Sequence, residues 1–209
     1  MGIFSFFRKG SNEKKEPDFP CPFGYKISWY AIKNETPQSI VEKLKLKVIG
    51  ESNWQNGIDR VHNLQNSAFV SPPLDDYVLV IGISPDDEHE IVKKHALSFK
   101  ELQYFGTHRV VEYHAWAKFI DGKIIRSYCY VGESGEVTWC EGDITFEEKS
   151  LGFDKFPSST EETFSDEFDY GNLPNEENVL DIAKAWGIDP RFEGKTYEKG
   201  TGFICKFRT

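Results

Sequence analysis

A chain of 209 residues, 39% hydrophobic and 15% aromatic, has the length and apolar content for one globular domain with a sizeable core, which excludes a disordered chain. Its formal net charge of −9 argues against a nucleic-acid backbone as partner, which needs clustered Lys and Arg, and suits a basic protein partner instead. The four cysteines, Cys21, Cys129, Cys140 and Cys205, form neither a CxxC knuckle nor a dense disulfide framework, so free thiols in a cytoplasmic compartment are expected.

Residues 1–20 read as a flexible appendage, amphipathic and then polar. Ile3, Phe4, Phe6 and Phe7 precede Arg8 and Lys9, the reverse of a signal peptide. Two roles are open to this tail: a weak membrane-surface contact through residues 1–10, or packing of its Phe side chains back onto the domain. The second is preferred, because one short segment gives only marginal membrane affinity. The domain proper is expected over residues 21–209. Gly24–Lys33 predicts a first strand, and Thr36-Pro37 a capped helix with Ile40, Val41 and Leu44 on one face. Ser52 and Gln55 suggest a capping box for a helix carrying Trp54, Ile58 and Val61, with Gly57 against it. Ala68–Ser71 reads as a short strand stopped by Pro72-Pro73. Tyr77–Ile83 is continuously apolar and predicts a central strand buried on both faces. Ser84-Pro85-Asp86-Asp87 opens a helix running to about Phe99.

Leu102–Glu141 predicts a three-stranded antiparallel meander around which the domain is organised. Asp121-Gly122 is a two-residue type I′ hairpin signal. Alignment across it sets Ile120 opposite Lys123, Ala117 opposite Arg126, Ala115 opposite Tyr128 and His114 opposite Cys129. The next turn would set Tyr128 opposite Trp139 and Ser127 opposite Cys140. Alternation then gives one core face with Val111, Tyr113, Ala115, Phe119, Tyr128, Tyr130, Val137, Trp139 and Arg126, and a second, more polar face with Glu112, His114, Trp116, Ser127, Cys129, Thr138 and Cys140. The Pro85–Phe99 helix is expected to cover that second face. Thr145–Leu151 predicts one or two helical turns, and residues 153–178 a long acidic surface loop with Lys155 as its one base. Asn175 starts a helix striped by Val179, Ile182, Ala183 and Trp186 and stopped by Gly187, and Gly202–Arg208 is a last strand. The expected fold is α+β: a single antiparallel (mixed) sheet holding the meander, with helices packed mainly on one face.

On the predicted register, Cys129 faces His114, with Glu112 one step along, which is the layout of a thiol nucleophile with an oriented imidazole. The competing reading, a small buried thiol and a core histidine, is preferred because mid-strand positions are poorly reached by substrate. Cys129, Cys140 and His114 supply only three metal ligands without a closely spaced knuckle, so no metal and no other cofactor is expected. His108 and Arg109, in Gly106-Thr107-His108-Arg109, could grip an anion at a polar bend, against the reading of a simple turn. Arg126 falls among aromatics, where it could stack on Tyr113 or Tyr128, pair with a carboxylate or mark a pocket, and Trp116 joins these three as a binding residue. Asp166, Gly171 and Glu177 mimic an EF-hand spacing, but Phe168 and Tyr170 stand where ligands are needed.

The stretches FVSPPLDDYVLVIG (Phe69–Gly82), FGTHRVVEYHAWAKFIDGKIIRSYCYVGESGEV (Phe105–Val137) and VLDIAKAWGIDP (Val179–Pro190) resemble an uncharacterised family of bacterial proteins. The resemblance implies a bacterial, cytoplasmic, single-domain protein and carries over no catalytic residue. With no P-loop, Rossmann glycines, HExxH or GxSxG in the chain, the expected function is a non-catalytic protein-binding module, such as an immunity or inhibitor protein facing a basic partner. The alternatives are a hydrolase or transferase using Cys129 and His114, and a membrane-surface adaptor held by Phe4, Phe6 and Phe7.

Overall fold

The computed structural model describes residues 16–64, 66–83, 89–166 and 168–207. The tail aromatics Phe4, Phe6 and Phe7 and the Ser84-Pro85-Asp86-Asp87 helix start lie outside the described residues.

Continuous apolar runs demand burial on both faces, and the fold supplies it with one nine-stranded antiparallel sheet. In chain order the elements are β1 (Ser28–Lys33), α1 (Pro37–Lys43), β2 (Lys47–Asn53), α2 (Trp54–Asn63), β3 (Ser67–Val70), β4 (Tyr77–Ile83), α3 (His89–Ala96), β5 (Glu101–His108), β6 (Tyr113–Ile120), β7 (Lys123–Val131), β8 (Glu136–Glu141), α4 (Phe146–Ser150), α5 (Thr160–Thr163), α6 (Glu176–Trp186) and β9 (Thr201–Lys206). The strand order is β2-β9-β3-β4-β1-β5-β6-β7-β8. β5 to β8 are neighbours in chain order, so the stretch expected to hold three strands belongs to a run of four. Its first turn lies at Arg109–Glu112 rather than at residues 106–109. The acidic segment expected as loop carries α5 and two short 3-10 turns, at Phe153–Lys155 and Tyr170–Asn172.

Helices cover both faces of the sheet, rather than mainly one. Trp54 and Ile58 of α2 and Val179, Ile182, Ala183 and Trp186 of α6 pack on Trp29, Phe69, Leu79, Ile81, Phe105 and Trp116. Ile40 of α1 and Val92 and Ala96 of α3 pack on Tyr30, Ile32, Val78, Val80, Tyr104 and Cys129. Strand β4 alternates between these two cores, which is why Tyr77–Ile83 reads as unbroken apolar sequence.

Local signals explain the helix ends. Thr36 caps α1 by accepting from the Ser39 N–H, and Asn175 and Asn178 close a reciprocal capping box on α6. The α2 cap is Asn53 rather than Ser52, and the Asp18 carboxylate adds bonds from the Trp54 and Gln55 N–H groups. At the C-terminus of α6, the Trp186 carbonyl accepts from Tyr77 Oη and Gln103 Nε2, so two buried polar side chains dock this helix on β4 and β5. The outer edge of β8 is fastened to α5: Thr160 Oγ1 accepts from the Val137 N–H, and Thr163 Oγ1 donates to the Gly135 carbonyl. Among the described residues no helix is long and apolar enough to cross a membrane.

Candidate functional site

The site begins with one extra residue in β7. Asp121 and Gly122 take the positive φ of a type I′ turn, 49° and 72°, and Ile120 faces Lys123 as the sequence predicts. Phe119 then pairs with Ile124 while Lys118 pairs with Arg126, so Ile125 is left over as a β-bulge. Every later pair moves by one: Trp116 faces Tyr128, Ala115 faces Cys129 and His114 faces Tyr130. A one-residue shift exchanges the faces of a strand. Arg126 and Tyr128 therefore join Trp116, whereas Cys129 joins Tyr113, Ala115 and Trp139 in the other core. Across the next strand pair Tyr128 faces Cys140 and Cys129 faces Trp139.

This register separates the predicted catalytic residues. His114 shares the face of Trp116, and Cys129 lies on the opposite face. Burial pushes the Cys129 thiol up to about 12, against hydrogen bonds with Thr138 and Tyr113 that lower it. Burial also holds His114 down to about 4, opposed by the nearby Glu176 carboxylate. A protonated thiol and a neutral imidazole on opposite faces do not form an activated nucleophile. Glu112 sits in the β5–β6 turn at φ 51°, where its carbonyl accepts from the Gly132 N–H. Cys129 and Cys140 point to opposite faces, so they share neither a metal nor a disulfide, and all four cysteines are free thiols. Helix α3 covers the Cys129 face, while α6 and the segment after α4 cover that of His114 and Trp116, a correction to the expected cover.

Of the predicted binding residues, Trp116 and Arg126 come together and His108 and Arg109 do not join them. Arg109 donates from Nε and Nη2 to Glu176 Oε2, at 2.9 and 2.6 Å, so its guanidinium is engaged by α6 rather than poised for an anion. His108 faces Tyr113 across β5–β6, and the next pair, Thr107 with His114, occupies the other side of the sheet.

Arg126 does stack, its guanidinium carbon 5.5 Å from the Tyr128 ring centroid. Its charge is met by Glu148, a fully buried carboxylate that the sequence reading missed. Glu148 Oε1 accepts from Arg126 Nε at 2.9 Å and from Trp116 Nε1 at 2.8 Å, and Oε2 accepts from the Thr145 N–H at 2.8 Å. The Thr145-x-x-Glu148 spacing signals a capping box, and the box is present on α4. Nothing local in the sequence says that the same carboxylate would also close the Arg126 ion pair. Arg126 Nη1 reaches the Gly142 carbonyl at 3.4 Å and Cys140 Sγ at 3.6 Å.

Beside this network, between β6–β8 and the chain from Gly142 to Ser158, lies a cavity of about 290 Å³. Trp116, Tyr128, Phe153 and Phe156 give it apolar walls, with Arg126 and Cys140 also lining it, and the exposed Asp143 and Asp154 contribute carboxylates. Tyr128 is buried, and its hydroxyl has no hydrogen-bond partner among the described residues.

The cavity opens within the most acidic stretch of the chain. Residues 133–178 hold fourteen Asp and Glu but only Lys149 and Lys155 as bases, leaving 20 acids and 23 bases elsewhere; the whole negative excess is therefore in this stretch. Four of these acids meet cations: Glu141 with Lys93, Glu148 with Arg126, Glu176 with Arg109 and Glu177 with Arg191. The exposed Glu133, Glu136, Asp143, Asp154, Glu161, Glu162, Asp166 and Asp169 form no ion pair with a described residue. Phe146, Phe164 and Tyr170 stand out among them, at 80%, 65% and 67% exposure.

Comparison with protein-family models, curated proteins and solved structures finds no match to this chain. Its reading rests on its own residues.

Proposed function

We propose that the chain is a non-catalytic protein-binding module whose acidic face, residues 133–178, receives a basic partner protein. The observation that carries this reading is the segregation of charge: a net −12 in this stretch against +3 in the rest, from the counts of acids and bases above. Unpaired carboxylates of one sign repel one another and weaken the folded state, while a complementary partner relieves that repulsion and is drawn in faster. The exposed Phe146, Phe164 and Tyr170 supply the large contact area that carries binding energy within a polar rim. Such a face suits a partner-neutralising role of the immunity or inhibitor type.

The test compares the full chain with a variant in which Glu161, Glu162, Asp166 and Asp169 become Gln or Asn and Phe164 becomes Ser. Both are immobilised at equal density, challenged with lysate of the source cell, and read by mass spectrometry with cross-linking. The expected result is a stoichiometric basic protein that cross-links to residues 133–178 of the native chain and is lost from the variant. Equal capture by both chains would overturn the reading.

A further inference from the structure

We infer that the cavity beside Arg126 is an anchor pocket for one cationic side chain, a guanidinium or alkylammonium group of the basic partner. The inference rests on the acidic-face reading and assigns it a specific seat. At about 290 Å³ the cavity lies at the small end of ligand sites, the size for a single side chain rather than a nucleotide. Its aromatic walls would hold the methylene stem of an Arg or Lys, while Asp143 and Asp154 would meet the charged head. The buried Tyr128 hydroxyl, unpartnered among the described residues, offers an oxygen to accept from that head.

The presence of Arg126 does not turn the pocket into an anion site. Its Nε is held by Glu148, and Nη1 is directed at the Gly142 carbonyl and Cys140 Sγ. Glu148 behind it balances the guanidinium, and the lining adds Asp143 and Asp154 within a stretch of net charge −12. An anion entering here would meet the carboxylates of Asp143 and Asp154, and the one guanidinium in the lining is already paired with Glu148. A cation meets two carboxylates that form no ion pair with a described residue.

Cys140 provides the reporter, because it lines the cavity and is exposed while Cys129 and Cys205 are buried. The full chain is alkylated with iodoacetamide in the presence of N-acetyl-arginine amide, its neutral counterpart N-acetyl-glutamine amide, or N-acetyl-glutamate, and the rate at Cys140 is followed by peptide mapping. The arginine derivative is expected to slow Cys140 saturably, and the other two to leave it unchanged. Asp143→Asn with Asp154→Asn should raise the half-protecting concentration by roughly three- to tenfold, the effect of losing two exposed charge contacts. Tyr128→Phe, which keeps the ring, should raise it by roughly fivefold. Protection by N-acetyl-glutamate, or none by the arginine derivative, overturns the anchor pocket. If protection is absent while the native chain still captures a basic protein that the face variant loses, the pocket assignment falls and the acidic-face reading stands. Protection without any such capture supports the cation pocket and refutes the protein-partner reading.

Discussion

Replacing Glu148 by Gln should destabilise the protein by about 2–3 kcal/mol, although only one atom changes. Three donors converge on the two oxygens of this buried carboxylate: Trp116 Nε1 and Arg126 Nε on Oε1, and the Thr145 N–H on Oε2. An amide has one oxygen. If it faces Trp116 and Arg126, its NH2 confronts the Thr145 N–H; if it turns over, it confronts the indole and the guanidinium. Either way a donor meets a donor, and Arg126 loses its counter-charge in a site where its side chain is 8% exposed. Breaking a buried ion pair costs about 3–5 kcal/mol, and the neighbouring cavity lowers the expected figure by admitting water to the guanidinium. Glu148→Leu should cost more, about 4 kcal/mol, because it removes both acceptors. Adding Arg126→Met to Glu148→Leu should restore part of that loss, since two apolar side chains leave no orphaned charge. The assay is urea unfolding followed by far-UV circular dichroism and Trp fluorescence, with coincident transitions and an unchanged slope as the two-state check. A cost below about 0.5 kcal/mol for Glu148→Gln, or a double variant less stable than Glu148→Leu alone, would refute the account of this network.

His114 carries a pH dependence of defined sign. Burial holds its folded pKa at about 4 against 6.5 as the reference value, so between these values the unfolded chain takes the proton first. The stability associated with neutral His114 is full above pH 6.5 and is lost as pH falls towards 4. His114→Gln should remove about 2 kcal/mol from the decline in unfolding free energy between pH 8 and pH 5, and an identical decline in both proteins would contradict the buried neutral imidazole. For Cys129, peptide-mapped alkylation by iodoacetamide at neutral pH should proceed no faster than global unfolding, while Cys140 reacts readily in the native chain; rapid native labelling of Cys129 would sink this assignment. Gly142→Ala should cost more than about 1 kcal/mol in the same urea assay, because its φ is +78° and a Cβ there would stand 2.2 Å from the carbonyl oxygen of the bulged Ile125. An unaffected midpoint would mean that the β7–β8 end relaxes freely.

Where a feature depends on adjacent residues, the sequence carries it. Tyr77–Ile83, the Thr36-Pro37 cap, the Asn175 start and Gly187 stop of α6, and the Asp121-Gly122 turn all follow from period, capping and turn chemistry, and the structure has them. β2 escaped notice because Lys47–Asn53, KVIGESN, is an edge strand with mixed polarity, largely exposed and paired only with β9. The division of helices between two faces was also hidden. Amphipathic stripes on α1, α2, α3 and α6 say that each helix buries one side, but not which side of the sheet receives it. Only the alternation of β1 and β4 between the two cores distinguishes the sides, and that alternation is masked when both sets of residues are apolar.

The site was illegible for a sharper reason: its composition depends on the parity of a single strand. Had β7 paired without its bulge, Arg126 would face Ala117, Tyr128 would face Ala115, and Cys129 would face His114. The inserted Ile125 exchanges those sets, which both dissolves the apparent Cys-His pair and assembles the wall of Trp116, Tyr128 and Arg126. The bulge is held from the neighbouring segment. Gly142 has its α-carbon against the Ile125 carbonyl, a position with no room for a Cβ, and its own carbonyl receives Arg126 Nη1. Glu148 then fixes the other side of the guanidinium and, through its capping box, the start of α4. The separation of Cys129 from His114 and the assembly of the cavity wall are thus two readings of one shift in register. Deleting Ile125 takes out the extra residue and leaves Lys118 paired with Arg126 and Trp116 with Tyr128, so the ion pair to Glu148 should persist and Cys129 should stay on the face opposite His114.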